Sequence, residues 1–376
     1  MNGIYEHPLY LARWQDRFRC PLPVKLNPYL GCSGGCSYCF SLQMRKPNQP
    51  DRSSTVWPGS VKFLKDKLEQ ALNGSKNKSY LHECLRLKIP IQIGVLTDPF
   101  QPAEQEHGIT YRMIKVLNDY NYPFMLITKF NVPDSYLELL GDSKCVIQVS
   151  LSTLDKGFIA KTEKGTPSPS ERLQNILNLD DNDIPVQHRY WPIWPGLTDE
   201  PKELFEAVSD AGCSDVIAGY IRLFNFKRFL PKINNALGFD YLEHLKKNGY
   251  PIVKEHDYFK ISSNKMLSEY YRFQSLAIDE GLGFYTPDML GFNDGDCCCG
   301  TDHILGSHAG WALNVNCDVF ESETTFTDYM KEHNCPYEKQ FKDYWDKNGV
   351  SKAFSDVECV NKNIKSYKQI VQQELI

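Results

Sequence analysis

The sequence contains no apolar stretch near the roughly 18 uninterrupted residues that a membrane-spanning helix needs. It also lacks a basic excess: 42 Lys and Arg against 47 Asp and Glu leave a formal net charge of −5. Proteins that grip duplex nucleic acid present a basic face, so a general affinity for duplex DNA is not favoured. The opening residues, MNGIYEHPLYLARWQDRF, have no basic-then-apolar run of the kind that marks a secretory leader. Internal repeats and low-complexity segments are missing as well. These absences point to a cytoplasmic protein with no membrane partner. A disulfide framework is excluded on different grounds. The 13 cysteines are odd in number and irregularly spaced, and nothing suggests secretion.

Clustered cysteines in a reducing compartment bind metal or do chemistry, whereas isolated ones pack as small hydrophobes. Cys20, Cys84, Cys145, Cys213 and Cys359 are of the isolated kind.

Short runs rich in branched residues predict strands at 24–30, 91–96, 124–128, 146–151, 186–194 and 215–223. Helices are expected between them, near 57–73, 107–120, 133–142, 168–178 and 200–211. Strands alternating with helices mean parallel βα units, so the predicted class is α/β with a partial (βα)6 TIM barrel. Its site would lie at the C-terminal ends of the strands. The alternation fades after residue 223. Residues 1–223 are therefore read as the barrel with its lead-in, and 224–376 as a mostly helical extension that caps the mouth.

The most informative segment runs Asn27-Pro28-Tyr29-Leu30-Gly31-Cys32-Ser33-Gly34-Gly35-Cys36-Ser37-Tyr38-Cys39-Phe40. Three thiolates on a glycine-containing loop after a strand can turn toward one centre, and thiolates are the usual ligands of iron–sulfur clusters. Three ligands leave one iron of a four-iron cluster open to a small molecule. The competing reading is zinc, which takes a fourth protein ligand and rarely uses this x3-then-x2 triplet.

The Cys-x3-Cys-x2-Cys spacing, with aromatic Tyr38 before the last cysteine, resembles the signature of radical S-adenosylmethionine (SAM) enzymes. The likeness continues through Thr97-Asp98-Pro99-Phe100-Gln101-Pro102 with Glu104, Thr110 and Arg112, and through Ile127-Thr128-Lys129 and Val149-Ser150-Leu151-Ser152-Thr153. It ends with Pro167-Ser168 to Arg172 and Pro192-Ile193-Trp194-Pro195-Gly196-Leu197-Thr198-Asp199. Over residues 27–199 the chain is similar to the spore photoproduct lyase-like group. The resemblance implies a [4Fe–4S] cluster on Cys32, Cys36 and Cys39, with SAM chelating the open iron. It implies SAM contacts from Asp98, Lys129, Ser150 and Tyr38, and a flavodoxin- or ferredoxin-type electron donor. Arg189 and His188 on the fifth strand are expected to reach the same space.

Asp294-Gly295-Asp296-Cys297-Cys298-Cys299-Gly300 is the least ordinary part of the extension. Cys298 is a candidate hydrogen-atom donor to a substrate radical, with Arg189 the second catalytic candidate. Members of the triplet with Cys317 or Cys335 could instead hold an auxiliary cluster, or simply pack in a tight loop. Asp294 and Asp296, like Asp302, are turn formers or ligands of substrate hydroxyls. Arg222, opening the cation–aromatic stretch Arg222–Phe229, is a substrate-binding candidate.

The acidic balance and the closing extension fit a small enclosed nucleoside or nucleotide substrate. The family neighbourhood includes queuine lyases, so release of queuine from queuosine or its 5′-phosphate is the preferred activity. Repair of DNA of the spore photoproduct type is the alternative. It stands second because Phe40-Ser41-Leu42 departs from the aromatic–small–arginine run usual among relatives, and the hydrogen-relay cysteine and tyrosines of the DNA-repairing members have no counterpart by motif.

Overall fold

Alternating branched and aromatic residues give eight strands in one sheet. They are β1 (Leu9–Leu11), β2 (Val24–Leu26), β3 (Ile91–Ile93), β4 (Phe124–Thr128), β5 (Cys145–Ser150), β6 (Val186–Ile193), β7 (Asp215–Tyr220) and β8 (Gly283–Tyr285). The structure is a computed structural model and describes residues 4–11, 22, 24–43, 55–74, 79–86, 88–224, 226–255, 258–286 and 300. Each strand lies beside its neighbour in chain order. β1 runs antiparallel to β2, and every pair from β2 to β8 is parallel.

Parallel neighbours need a crossover, and each has a helix in its connection. These are α1 (Val61–Leu72), α2 (Ile109–Asp119), α3 (Leu137–Gly141), α4 (Pro169–Asp180), α5 (Lys202–Asp210) and α6 (Ser263–Asp279). The α/β class, the six predicted strands and their crossover helices are all present. The sheet is open, with β1 and β8 at its edges, so closure into a barrel is not part of the observed pairing. β1 was not expected as a strand, and β8 lies beyond the expected 1–223 unit, past the strand–helix alternation that marked the others.

Local signals fix the helix starts. Ser60 accepts a bond from Phe63 N at 3.1 Å ahead of α1. Ser168 forms a reciprocal capping box with Glu171, and Pro169 opens α4. Alternation then sorts the strands into two faces. On the outer face of β6, Tyr190 packs edge-on against Phe205 of α5 at 5.5 Å and Phe273 of α6 at 5.8 Å. The opposite face is polar, with Gln148 and Ser150 on β5, and Gln187 and Arg189 on β6. In register, Gln148 stands opposite Gln187 and Ser150 opposite Arg189.

The region expected to be mostly helical after 223 contains the helices 226–237, 241–247 and 263–279, and also an antiparallel sheet. That sheet orders Leu223–Phe224, Tyr258–Ile261 and Ile252–Glu255. The branched and aromatic residues Ile252, Val253, Tyr258 and Phe259, of types that favour strands, account for it. Cys84, Cys145 and Cys213 are buried, as small core hydrophobes should be. Cys20, Cys359, Cys297–Cys299, Cys317, Cys335, Asp294, Asp296, Asp302 and the tail from 321 lie outside the described residues. Among the described residues no helix is long and apolar enough to cross a membrane.

Candidate functional site

Residues 31–39 connect the short strand Tyr29–Leu30 to the helical turn Phe40–Gln43. Gly31 at φ 98° and Gly35 at φ 62° take backbone conformations that other residues resist, and so let the loop curl. Gln101, fully buried, braces it from behind. Its Oε1 accepts from Ser33 N at 3.0 Å, and its Nε2 donates to Gly31 O at 3.0 Å.

A second loop, 162–166, closes the other side. Ser37 N donates to Thr162 O at 2.8 Å, Gly165 N donates to Gly34 O at 3.1 Å, and Cys36 forms an antiparallel bridge with Glu163. A Cβ on Gly165 would stand 2.5 Å from Ser33 O, so the two loops dock flush.

Held this way, Cys32, Cys36 and Cys39 line one concavity with Gly31, Gly34, Gly35, Ser41 and Leu96. None of the three is in a disulfide, and all are partly accessible. Among the described residues no three His, Cys, Asp or Glu side chains are gathered around a point that would hold a single ion. Three thiols on one concavity are the usual donors of an iron–sulfur cluster, whereas zinc takes a fourth protein ligand. Burial pushes the Cys32 thiol up to about 12, reinforced by the charge of Asp98. Burial also raises Cys36, reinforced by Glu163 and opposed by Lys129. Thiolates here therefore need a cationic partner.

Sequence reasoning overlooked Glu163, the centre of the site's electrostatics. Its carboxylate is wholly buried, accepting from Lys129 Nζ at 2.9 Å and Arg172 Nη2 at 2.6 Å, and from the Tyr38 hydroxyl. Burial alone would raise it, but the charges of Lys129 and Arg172 hold it down at about 2. Arg172 is itself fully buried and also donates to Ser150 O at 2.8 Å. Lys129 Nζ lies 5.6 Å from the centroid of the Tyr38 ring, whose edge packs on Trp194 at 5.3 Å. A buried acid whose partners Lys129 and Tyr38 lie 34 and 125 positions away in the chain leaves no local pattern to find. Gln101 lay inside a motif that was noticed, but glutamine carries no signal of bracing a loop.

The sequence candidates sort as follows. Tyr38 and Lys129 meet at Glu163, and Ser150 joins them through Arg172. Asp98 spends its carboxylate on Lys129 N at 2.7 Å, Thr128 Oγ1 at 2.8 Å and Phe100 N at 3.0 Å, which ties the end of β4 to its own loop. Burial raises its carboxyl against those bonds. Arg189 projects from the polar face, donating to Gln148 Oε1 at 3.0 Å and stacking on Trp191 with Arg222 nearby. His188 does not share that space. Alternation turns it outward, where it bonds Leu151 O at 2.7 Å and packs on Phe205 at 6.2 Å, and burial lowers it to about 4. Asp294, Asp296 and Cys298 lie outside the described residues.

No protein-family profile matches the chain. It is 25% identical over 209 residues to uncharacterized proteins of Mycobacterium tuberculosis and Mycobacterium bovis, covering 52% of this chain and 58% of theirs. An uncharacterized protein of Methanocaldococcus jannaschii is 23% identical over 175 residues, 46% of this chain and 61% of that one. The chain thus matches less than two thirds of the length of these curated relatives. Among solved structures it resembles a spore photoproduct lyase variant with a TM-score of 0.55 and 14% identity, covering 76% of this chain and 80% of that one. A second variant, with bound AdoMet and dinucleoside spore photoproduct, matches at a TM-score of 0.52 and 14% identity, over 76% and 81%. The chain shares the fold of spore photoproduct lyase.

Proposed function

We propose that the chain is a radical SAM lyase acting on a small nucleoside or nucleotide. The observation that carries this reading is the set of three cysteines outside any disulfide that line one concavity beside Lys129, which the buried Glu163–Arg172 pair positions. The donor set fits a [4Fe–4S] cluster. The thiols are soft and supplied by a curled glycine loop, and their burial calls for a cationic partner.

Cys32, Cys36 and Cys39 would hold the cluster. Lys129 has further N–H donors beyond the one given to Glu163 and would hold the SAM carboxylate. Ser37 Oγ and Ser152 Oγ are buried without a partner among the described residues, and such hydroxyls are available to a bound ligand. When bound, the cluster and SAM would supply the radical chemistry. The chain's share of the work is to bind, orient and shield. Asp98 fixes the β4 loop, Gln101 and the 162–166 loop fix the cysteines, and Tyr38 anchors their end of the loop on Glu163.

Release of queuine from queuosine or its 5′-phosphate is the preferred reaction. Anaerobic incubation of the cluster-loaded protein with reductant, SAM and each substrate, followed by HPLC, tests it. Released base supports the reading, and its absence with both substrates rejects queuine as product. The structural likeness to spore photoproduct lyase favours a second reading, lesion repair in DNA. A fluorescence titration with salt-sensitive DNA affinity would support that reading, and no affinity would remove it.

A further inference from the structure

The wall of the cysteine concavity is thin at Gly35. This residue lines the concavity beside Cys36 and is at the same time exposed to solvent. Its φ of 62° disfavours any side chain there, so bare backbone separates the site from the surface. Gly165, also exposed, lies alongside. A Cβ on Gly35 would stand 3.7 Å from Gly165 N and 3.8 Å from Lys164 Cβ.

The exposed side chains bordering this point are cationic. Lys164 stands against Gly35, and Lys161 lies one residue before Thr162, whose carbonyl accepts from Ser37 N. Both lysines are exposed, and neither has an ion-pair partner among the described residues. Glu163, the acid between them, is wholly buried and given to Lys129, Arg172 and Tyr38. A cationic edge therefore borders the cysteines on a chain whose net charge is −5. Beyond Cys39, Phe40 adds an apolar ring that is 39% exposed.

We infer that Gly35, Lys161, Lys164 and Phe40 form the docking face for an acidic one-electron donor protein, whose redox group approaches the cluster across Gly35. Electron tunnelling decays exponentially with distance, so the electron enters where the least chain covers the cluster. A residue without a side chain permits that close approach. Lysines beside the entry point steer an acidic partner and speed its association. Nucleic acid fits the face less well, because two lysines neutralise few of its phosphates. The step moves one electron: the donor is oxidised by one electron, [4Fe–4S]²⁺ becomes [4Fe–4S]⁺, and no bond forms or breaks. The inference rests on the radical SAM reading for the cluster and adds the place where its electron enters.

The test is anaerobic stopped-flow reduction of the cluster-loaded protein by reduced flavodoxin and by reduced ferredoxin, with dithionite as the small-molecule control. Cluster absorbance and EPR are the readouts, so no substrate is needed. Reduction by the protein donors should slow about tenfold between low and high salt. The double variant Lys161→Glu/Lys164→Glu should be reduced about tenfold more slowly than wild type at low salt, with the gap closing at high salt. Phe40→Ala should slow reduction by the protein donors to a smaller extent, alike at both salt concentrations. Dithionite should reduce all three proteins alike, and SAM should change their EPR signals alike.

Equal rates for wild type and the double variant, or a rate indifferent to salt, would overturn the inference and leave the lyase reading standing. So would failure of both protein donors to reduce a cluster that dithionite reduces. Oligothymidylate that blocks the protein donors at low concentration would also overturn it, assigning the lysines to a nucleic-acid backbone. A preparation in which dithionite produces no SAM-sensitive EPR signal would instead break the radical SAM reading, and the inference with it.

Discussion

Around Glu163 four ionisable side chains meet, Glu163 and Arg172 fully buried and Tyr38 and Lys129 half-buried, and each is hydrogen-bonded. On the outer face of β6, His188 and Tyr190 are fully buried, but among the rings of Phe205 and Phe273. The first region keeps its charges because each has a partner of opposite sign. The second keeps its groups neutral, with His188 lowered to about 4 and Tyr190 raised by burial. Charge is thus kept beside the cysteine loop, where a cluster and an anionic ligand would use it, whereas this stretch of β6 meets its helices with neutral groups.

The comparison breaks most sharply if its charged half is cut. Glu163→Gln leaves Arg172 fully buried without its carboxylate, and such losses cost about 3–5 kcal/mol. Urea denaturation of the metal-free protein measures it, and a loss under about 1 kcal/mol would mean the network does not hold the loop.

The neutral half can be tested by pH. His188 has an ordinary value of 6.5 and is lowered to about 4 in the folded chain. The unfolded chain therefore takes up a proton that the folded chain resists. Stability should fall as pH drops from 6.5 toward 4, by about 3 kcal/mol, and level off below. His188→Leu should flatten that limb in denaturation series across the range, and an unchanged limb would place the titration elsewhere.

A smaller effect sharpens the account of the loop. Gly165→Ala sets a methyl against Ser33 O and should cost about 2 kcal/mol, with a visible loss of iron retention by the reconstituted protein. Ser168→Ala removes only the cap of α4 and should cost about 1 kcal/mol with iron retention unchanged.

Most of the sheet was legible in the sequence because its strands are long apolar runs separated by helical periods. β1, β8 and the Ile252–Ile261 hairpin were not, since they lie outside the strand–helix alternation that marked the others and acquire their identity from the neighbours they pair with. The cysteine trio was readable from spacing, and Lys129 and Ser150 from their places at strand ends. Glu163 was passed over, since it owes its role to partners distant in the chain, Tyr38 among them. His188 was misplaced for a simpler reason. It sits beside Arg189, and adjacent residues on a strand face opposite sides.

The central claim is that the three thiols hold a cluster that SAM can reach. Anaerobic reconstitution with iron and sulfide, then reduction and EPR spectroscopy with and without SAM, tests it most directly. The account predicts a [4Fe–4S]⁺ signal that changes when SAM is added, accompanied by deoxyadenosine. A zinc-loaded, EPR-silent protein indifferent to SAM would contradict it.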